Sequence, residues 1–341
     1  MTILVTGAAG LLGSHLTDLL IEQHLPARVL VRPGEDVGWL ARAGVEIYRG
    51  DMRDRATLER AVAGVERVLH CAARTGPWGP EAEYRATNVD GLQTLVELAL
   101  AAGVRRFVHV SSITVHGNDV RGTADETAPI RAEPNPYSRS KVMGERLLET
   151  MMQSGAPLTI VRPGWIYGPR DTASFARFAT LIGQGKMVVI GTGNNHVPLI
   201  YVRDVAQGIL LASAMPQASG RVYLLVNDEP VTQRDYLTAI ARELGVLPPT
   251  RHIPYRLAMG LGAVVEATGH LMHWQHTPPL TRYGLQLLGG ENRFLISRAR
   301  RELGFAPQVS LAEGVRLSVA WYRTLRVPAF SAQPSATGWP R

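Results

Sequence analysis

The segment Thr6-Gly7-Ala8-Ala9-Gly10-Leu11-Leu12-Gly13 constrains this chain more than any other. It stands between an apolar run, Thr2 to Thr6, and an amphipathic stretch, Gly13 to Gln23, so its glycines occupy a strand-to-helix turn. Gly7 and Gly10 permit a tight turn, and Gly13 allows the helix to pack closely on the strand. The same alternation continues to about residue 165. Strands are predicted at Thr2–Thr6, Arg28–Val31, Glu46–Tyr48, Arg67–His70, Arg106–Ser111 and Leu158–Arg162. Helices are predicted at Gly13–Gln23, Arg55–Ala61, Glu81–Ala102 and Ser138–Met152. Short β-rich runs alternating with longer amphipathic ones predict an α/β class, a doubly wound parallel sheet whose strands are buried on both faces.

After Pro163 the rhythm changes. Helices are expected at Phe175–Gly183, Val205–Ala214, Arg234–Leu244, Ser297–Leu303 and Leu311–Arg323, with strands at Leu199–Val202 and Arg221–Val226. An apolar, helix-like segment starts at Leu257. The expected division is a nucleotide-binding part over 1–170 with a returning segment near 197–226. A smaller, mostly helical substrate lobe then takes 171–196 and 227–325, and a flexible tail 326–341. The longest apolar run, Leu257 to Val265, is too short to span a bilayer, and with Met1 leading straight into Ile3, Leu4 and Val5, without a basic flank or long apolar region, no secretory leader is expected. The lone Cys71 excludes an internal disulfide framework, and a cytoplasmic protein is expected. Lys+Arg 36 against Asp+Glu 29 gives +7, but the basic residues are scattered, which argues against nucleic acid as a partner. His270, His273 and His276 have no companion carboxylate pattern, so no metal is expected.

Glycines at the mouth of a helix point to a phosphate, because the helix N-terminus offers free N–H donors and a positive dipole end. With a strand before and a helix after, Gly7, Ala9, Gly10, Leu11, Leu12 and Gly13 read as the pyrophosphate turn of a Rossmann-type dinucleotide site. At the end of the second strand stands Arg32, nineteen residues after Gly13, where a carboxylate would otherwise bind a ribose 2′-hydroxyl. A guanidinium there accommodates a 2′-phosphate, so NADP(H) is expected over NAD(H).

Tyr137-Ser138-Arg139-Ser140-Lys141 opens a helix after Pro136, placing Tyr137 and Lys141 one turn apart on one face. An ammonium beside a phenol favours its ionised form and makes proton transfer feasible. Lys141 and Lys186 are the only lysines, in a chain otherwise basic through arginine. A compact ammonium at this place is therefore a chemical requirement that arginine's planar fork does not meet. Hydroxyls at Ser111 and Ser112 follow a buried strand, at the carboxyl edge where open α/β sheets meet ligands.

With Gly50-Asp51-Met52, His70-Cys71-Ala72-Ala73, Asn88-Val89-Asp90-Gly91 and Arg162-Pro163-Gly164-Trp165-Ile166-Tyr167-Gly168-Pro169, these motifs resemble the extended branch of the short-chain dehydrogenase/reductase superfamily. The resemblance runs over nearly the whole chain up to the tail. It implies that Ser112 is the catalytic serine beside Tyr137 and Lys141, and that Asn88 shapes the active-site helix. It also implies that Asp51 and Met52 bracket an adenine, that Ala72 and Ala73 line the dinucleotide, and that Pro163 and Ile166 pass the nicotinamide. Thr75-Gly76-Pro77-Trp78-Gly79, the Trp165–Tyr167 segment and Leu280-Thr281-Arg282 look most like the 3-beta-hydroxysteroid dehydrogenase subgroup, which makes Thr75, Trp78, Ser112, Trp165 and Tyr167 the expected substrate contacts.

The expected activity is hydride transfer between a nicotinamide and a secondary alcohol or ketone of a hydrophobic small molecule, steroid-, terpenoid- or acyl-like. Trp165, Tyr167, Phe175 and Phe178 supply apolar walls, and Arg170, Arg177 and Arg203 are isolated rather than gathered for a diphosphate. A nucleotide-sugar epimerase or dehydratase using the cofactor transiently is the alternative, and a non-catalytic NADP(H)-binding sensor a second. A homodimer is compatible with the sequence.

Overall fold

The computed structural model describes residues 2–325; the tail expected at 326–341 lies outside them. Seven strands form one sheet: β1 (Thr2–Thr6), β2 (Ala27–Val31), β3 (Glu46–Arg49), β4 (Val65–His70), β5 (Arg106–Val110), β6 (Leu158–Pro163) and β7 (Arg221–Leu225). They lie in the order β7-β6-β5-β4-β1-β2-β3, every neighbour parallel. The winding reverses between β1 and β4, so a crevice opens there at the carboxyl ends of the strands.

Strand periodicity fills two apolar layers. Ile3 and Val5 enter one, with α1 (Leu11–Glu22); Leu4 enters the other, with α2 (Arg55–Val62), α3 (Gly91–Ala101) and α4 (Pro136–Gln153). Helix α5 (Val202–Ala214) packs in the first layer beside α1. Beyond β6 a separate apolar core gathers Phe175, Ile182, Tyr236, Ile240, Val315 and Val319 with residues of α6 (Tyr255–Leu271) and α7 (Arg282–Gly289).

The departures from the sequence reading are local. Helix α1 begins at Leu11 rather than Gly13, because Gly10 is extended (φ −78°, ψ 171°) and serves as its cap. The helix expected over Glu81–Ala102 contains a widened π turn at Ala86–Asp90, ahead of α3. Leu199–Tyr201 leaves the main sheet and pairs with Trp165–Tyr167 instead. Gly164 makes that possible: a Cβ there would stand 2.2 Å from the Pro198 carbonyl oxygen. The close approach lets the Trp165 N–H donate to that oxygen at 2.6 Å. A two-residue strand pair also ties the lobe down, Thr123–Ala124 to Arg293–Phe294, and a second, Val189–Ile190 with His252–Ile253, joins two segments within the lobe.

Candidate active site

The glycine turn is built to hold its ligand by backbone alone. Gly7 has φ +70°, and a Cβ on it would lie 2.8 Å from Ala72 Cα, so β1 and β4 close on each other across the crevice. No side chain caps α1 and no acid lies in its first turn, which leaves its dipole end free for an anion. The Thr6 hydroxyl bridges His70 Nδ1 (2.7 Å) and the Ala72 N–H (3.1 Å), fixing the turn after β4. Burial drives the His70 imidazole down to about 3, so this bridge is neutral. A dinucleotide diphosphate fits these residues: a cradle that a side chain would fill, facing an uncapped helix end.

Arg32 stands at the end of β2, as expected, but it is not free. Its backbone N–H and its guanidinium both donate to Glu35, at 2.8–3.0 Å. Asp51 is likewise gripped by Arg53 at 2.8 and 3.0 Å, which holds its carboxyl below the usual range; Met52 beside it is buried.

Helix α4 carries the proton-transfer pair. Asn135 caps it by accepting from the Ser138 N–H at 2.9 Å, and the Ser138 hydroxyl donates to the Thr114 carbonyl at 3.1 Å, locking the helix start to the loop after β5. Tyr137 faces Ser112, whose hydrogen bond favours the phenolate, yet burial prevails and pushes the phenol up to about 12. Lys141 is buried, its Nζ 5.9 Å from the centre of the Tyr137 ring. It donates one proton to the Val110 carbonyl at 2.8 Å, and the ammonium's other protons remain for a ligand. Burial lowers this ammonium to about 8, while Glu145, one turn further along, works the other way. Glu145 itself is fully buried against Arg162 at the end of β6, with Nε donating at 2.9 Å.

Asn88 lies in the widened turn and bonds both ways to Arg74, accepting from its N–H (2.7 Å) and donating to its carbonyl (2.9 Å). It also donates to Ser140 Oγ at 2.8 Å, so one side chain joins the loop after β4 to the helix of Tyr137. That loop is held further by Tyr84, whose hydroxyl lies 2.8–3.3 Å from the carbonyls of Thr75, Gly76 and Trp78. Trp78 reaches the lobe: its Nε1 donates to the Trp274 carbonyl at 2.9 Å and its ring packs 4.2 Å from His270.

The aromatic residues after β6 divide. Trp165 is half-buried, set edge-on to Phe178 and Tyr236, with Nε1 donating to Ser174. Tyr167 and Phe175, expected as substrate walls, are 1% and 0% exposed and belong to the lobe core, where Gly314 makes room for the Tyr167 ring. Ile166 lies in register with Ile200 in the small strand pair, and Pro163 ends β6. The three isolated arginines are engaged within the chain: Arg170 with Asp18, Arg203 with Glu22, and Arg177 with the Pro279 carbonyl.

Two residues near Tyr137, Tyr283 and Asn118, escaped the sequence reading. Tyr283 of α7 meets Tyr137 edge-on with ring centres 6.3 Å apart, and its hydroxyl is turned toward Thr114 and Asn118. Asn118 is fully buried. Nothing but the neighbouring Thr281-Arg282 motif marks Tyr283 in the sequence. A cavity of about 620 Å³ begins at the adjacent Asp119 and is lined by Arg121, Ile190, Tyr255, Arg256, Met259 and Glu291 among others. Tyr255 donates to Asp119 across it at 3.4 Å.

A doubly wound parallel sheet with an uncapped glycine turn, and a tyrosine stacked over a buried lysine at its carboxyl edge, define a pyridine-nucleotide enzyme of the short-chain dehydrogenase/reductase type. The chain belongs to the NAD dependent epimerase/dehydratase family, whose profile matches residues 3–225. It is 31% identical over 324 residues to a 2-alkyl-3-oxoalkanoate reductase of Stenotrophomonas maltophilia (strain K279a), covering 93% of this chain and 98% of that one. It is 33% identical over 329 residues to sterol demethylase protein B of Methylococcus capsulatus (strain ATCC 33009 / NCIMB 11132 / Bath), covering 95% and 98%. Among solved structures it is similar to a double mutant of a dTDP-glucose 4,6-dehydratase from Streptomyces venezuelae with NAD bound. That match has TM-score 0.76 and 27% identity, covering 96% of this chain and 98% of that one. The family match and the reductase relative make this an enzyme of the short-chain dehydrogenase/reductase type, of a family that uses NAD(P). Among the described residues no helix is long and apolar enough to cross a membrane.

Proposed function

We propose that the protein reduces a ketone on a hydrophobic, acyl-like substrate, with NADPH preferred over NADH. The observation that carries this reading is the geometry of the pair at the carboxyl edge of the sheet: Tyr137 faces Ser112, and the buried Lys141 ammonium stands 5.9 Å from the centre of the Tyr137 ring. A phenol pushed up to about 12 is protonated at neutral pH and stands ready as an acid, while an ammonium near 8 beneath it is largely charged. The bound nicotinamide would supply the hydride. Tyr137 delivers its hydroxyl proton to the carbonyl oxygen, so that hydride and proton together complete the alcohol. Ser112 donates a hydrogen bond to the same oxygen, and Lys141 stabilises the tyrosinate left behind while holding the ribose. Gly7, Ala9, Gly10, Leu11, Leu12 and Gly13 would hold the pyrophosphate, Asp51 and Met52 would flank the adenine, and Ala72, Ala73, Pro163 and Ile166 would line the rest of the dinucleotide. Asn88 acts as a positioning residue, and Thr75, Trp78 and Trp165 lie toward the substrate. Arg32 would bind a 2′-phosphate in competition with Glu35.

An acyl substrate is favoured over a sugar nucleotide because Arg170, Arg177 and Arg203 are all engaged within the fold. In the cavity Arg121 and Arg256 share the lining with Asp119 and Glu291, so no net positive charge is gathered there for a diphosphate, while Ile190 and Met259 offer a wall to an alkyl chain. The names of the reductase and sterol relatives point the same way. The division proposed is residues 1–170 with 197–226 for the nucleotide and 171–196 with 227–325 for the substrate, in a cytoplasmic homodimer. The test incubates purified protein and NADPH with 2-alkyl-3-oxo acids, hydrophobic ketones and nucleoside-diphosphate sugars, following reduced-cofactor absorbance and products. Stoichiometric loss of absorbance on an oxo acid or ketone is expected. Conversion of a sugar nucleotide with a flat trace would establish the epimerase alternative instead. Silence with cofactor still bound would establish the non-catalytic sensor.

A further inference from the structure

Arg162, at the end of β6, is the hub of a buried polar cluster that the proton transfer itself does not use. Its Nε donates to both carboxylate oxygens of Glu145, at 2.9 and 3.1 Å, and its Nη2 reaches the same carboxylate. The remaining Nη1 stands 3.1 Å from His116 Nε2 and 3.3 Å from the Glu126 carbonyl oxygen. All three side chains, Arg162, Glu145 and His116, are buried. They come from three parts of the site. Glu145 lies one turn after Lys141 on α4, and Arg162 follows Val161, the register partner of Val110, whose carbonyl holds the Lys141 ammonium. His116 closes the short turn Ile113–His116 that Ser112 opens, the Ser112 hydroxyl accepting from the Thr114 N–H at 3.2 Å. One guanidinium therefore ties the Ser112 turn to the helix of Tyr137 and Lys141.

The contact between Arg162 and His116 fixes the form of the imidazole. A guanidinium only donates, so His116 Nε2 accepts with its lone pair and the ring proton belongs on Nδ1. Nδ1 stands 3.3 Å from the Pro129 carbonyl, the acceptor that this proton requires. Both ring nitrogens are thus satisfied in one neutral tautomer. A second proton would set an Nε2–H against the Arg162 N–H and put two buried cations in contact. Burial and Arg162 hold the imidazole below its ordinary value of 6.5, against the pull of the Pro129 carbonyl and Glu145. The other carboxylates around the turn are engaged elsewhere: Glu126 accepts from the Leu224 N–H at 3.0 Å, Glu133 from the Asn118 N–H at 3.2 Å, and Asp125 from Thr127 at 2.6 and 2.8 Å.

We propose that Arg162 and His116 are positioning residues for the proton-transfer step, clasping the Ser112 turn to the helix of Tyr137 and Lys141, and that the clasp holds only while His116 is uncharged. Its kinetic consequence rests on the ketone-reductase reading; its structural consequence does not. Tyr137 and Lys141 both keep their protons in acid, so neither gives ketone reduction a reason to fail there. Protonation of His116 does, because it frees the turn and moves Ser112 away from the carbonyl oxygen it would hold.

The structural arm of the test is nitrogen NMR of the histidine rings in the full chain, with the backbone amides of Ser112 and Thr114, titrated from about pH 8 to about pH 5. His116 should carry its proton on Nδ1, stay neutral below 6.5, and move both amides with its own midpoint when it charges. The kinetic arm follows NADPH oxidation by a hydrophobic ketone over the same range, against blanks without protein and with circular dichroism at each pH. Below that midpoint kcat should fall about tenfold per unit while the fold persists. His116→Gln, whose carboxamide can accept from Arg162 and donate to the Pro129 carbonyl at every pH, should lose the acid limb and keep neutral turnover within about threefold. His116→Phe, which offers Arg162 no acceptor, should lower kcat about tenfold throughout. A proton on Nε2, or ionisation near 6.5 with the amides unmoved, would overturn the proposal. So would an acid limb that survives in His116→Gln or coincides with unfolding, or parental turnover by His116→Phe. Should His116→Phe fail to fold, the parent and His116→Gln decide alone. If no ketone is reduced, the ketone-reductase reading fails and the NMR arm still decides the clasp.

Discussion

Lys141 is the residue whose environment most directly sets the chemistry. It is ringed by burial, by the Val110 carbonyl and by Glu145, and the balance leaves its ammonium at about 8 rather than near its free value of 10.5. Below that pH the charged form supports a departing phenol proton; above it the neutral amine does not. Ketone reduction should therefore hold steady at neutral pH and decline about tenfold per unit once pH rises well past 8. A profile flat to pH 10 would place the controlling group elsewhere. Arg32 was legible in the sequence, but its partner was not, because a three-residue ion pair forms only when the loop after β2 folds back. Glu35 now competes with any phosphate for the guanidinium. Arg32→Ala should lower the ratio of NADPH to NADH affinity about tenfold, and Glu35→Gln should raise it, measured by fluorescence titration. A ratio unmoved by both would remove Arg32 from cofactor choice.

At the scale of elements, the parallel strands and the helices between them were readable because each obeys its own periodicity. Val108–Val110 declares a doubly buried strand, and Pro136 after Asn135 declares a helix start. What the periodicity could not show is where the chain departs from regularity for tertiary reasons. The π turn at Ala86–Asp90 keeps an apolar helical pattern on both sides, and only the three hydrogen bonds of Asn88 reveal why it is there. The exchange of Leu199–Tyr201 to a strand pair outside the sheet depends on one close backbone contact at Gly164. Asn88→Ala should leave cofactor affinity nearly intact while lowering kcat about tenfold or more, because the loop after β4 and the start of α4 lose their common tie. Asn88→Asp, which keeps acceptance from the Arg74 N–H, should recover part of that loss in steady-state kinetics. Equal effects on both variants would reduce Asn88 to a packing role.

For the whole molecule, the sheet edge was legible and the lobe largely was not. The pyrophosphate turn, Tyr137 and Lys141 lie close in sequence to the strands that position them, so spacing alone brings them together. Tyr283 and Asn118 come from segments 165 residues apart and meet only when the lobe closes on the sheet. Aromatic residues after β6 looked equally available as walls, yet Tyr167 and Phe175 were needed to fill the lobe core while Trp165 stayed at its margin. The central claim is that hydride is delivered for good to a substrate carbonyl, with Tyr137 supplying the proton. It is tested most directly with reduced cofactor deuterated at the transferring position of the nicotinamide and a ketone that the protein consumes. Mass spectrometry of the product should find one deuterium on the new carbinol carbon for each cofactor oxidised, and Tyr137→Phe should slow its appearance about 10²–10⁴-fold with cofactor still bound. Product free of deuterium, or formed as fast by Tyr137→Phe, would contradict the account.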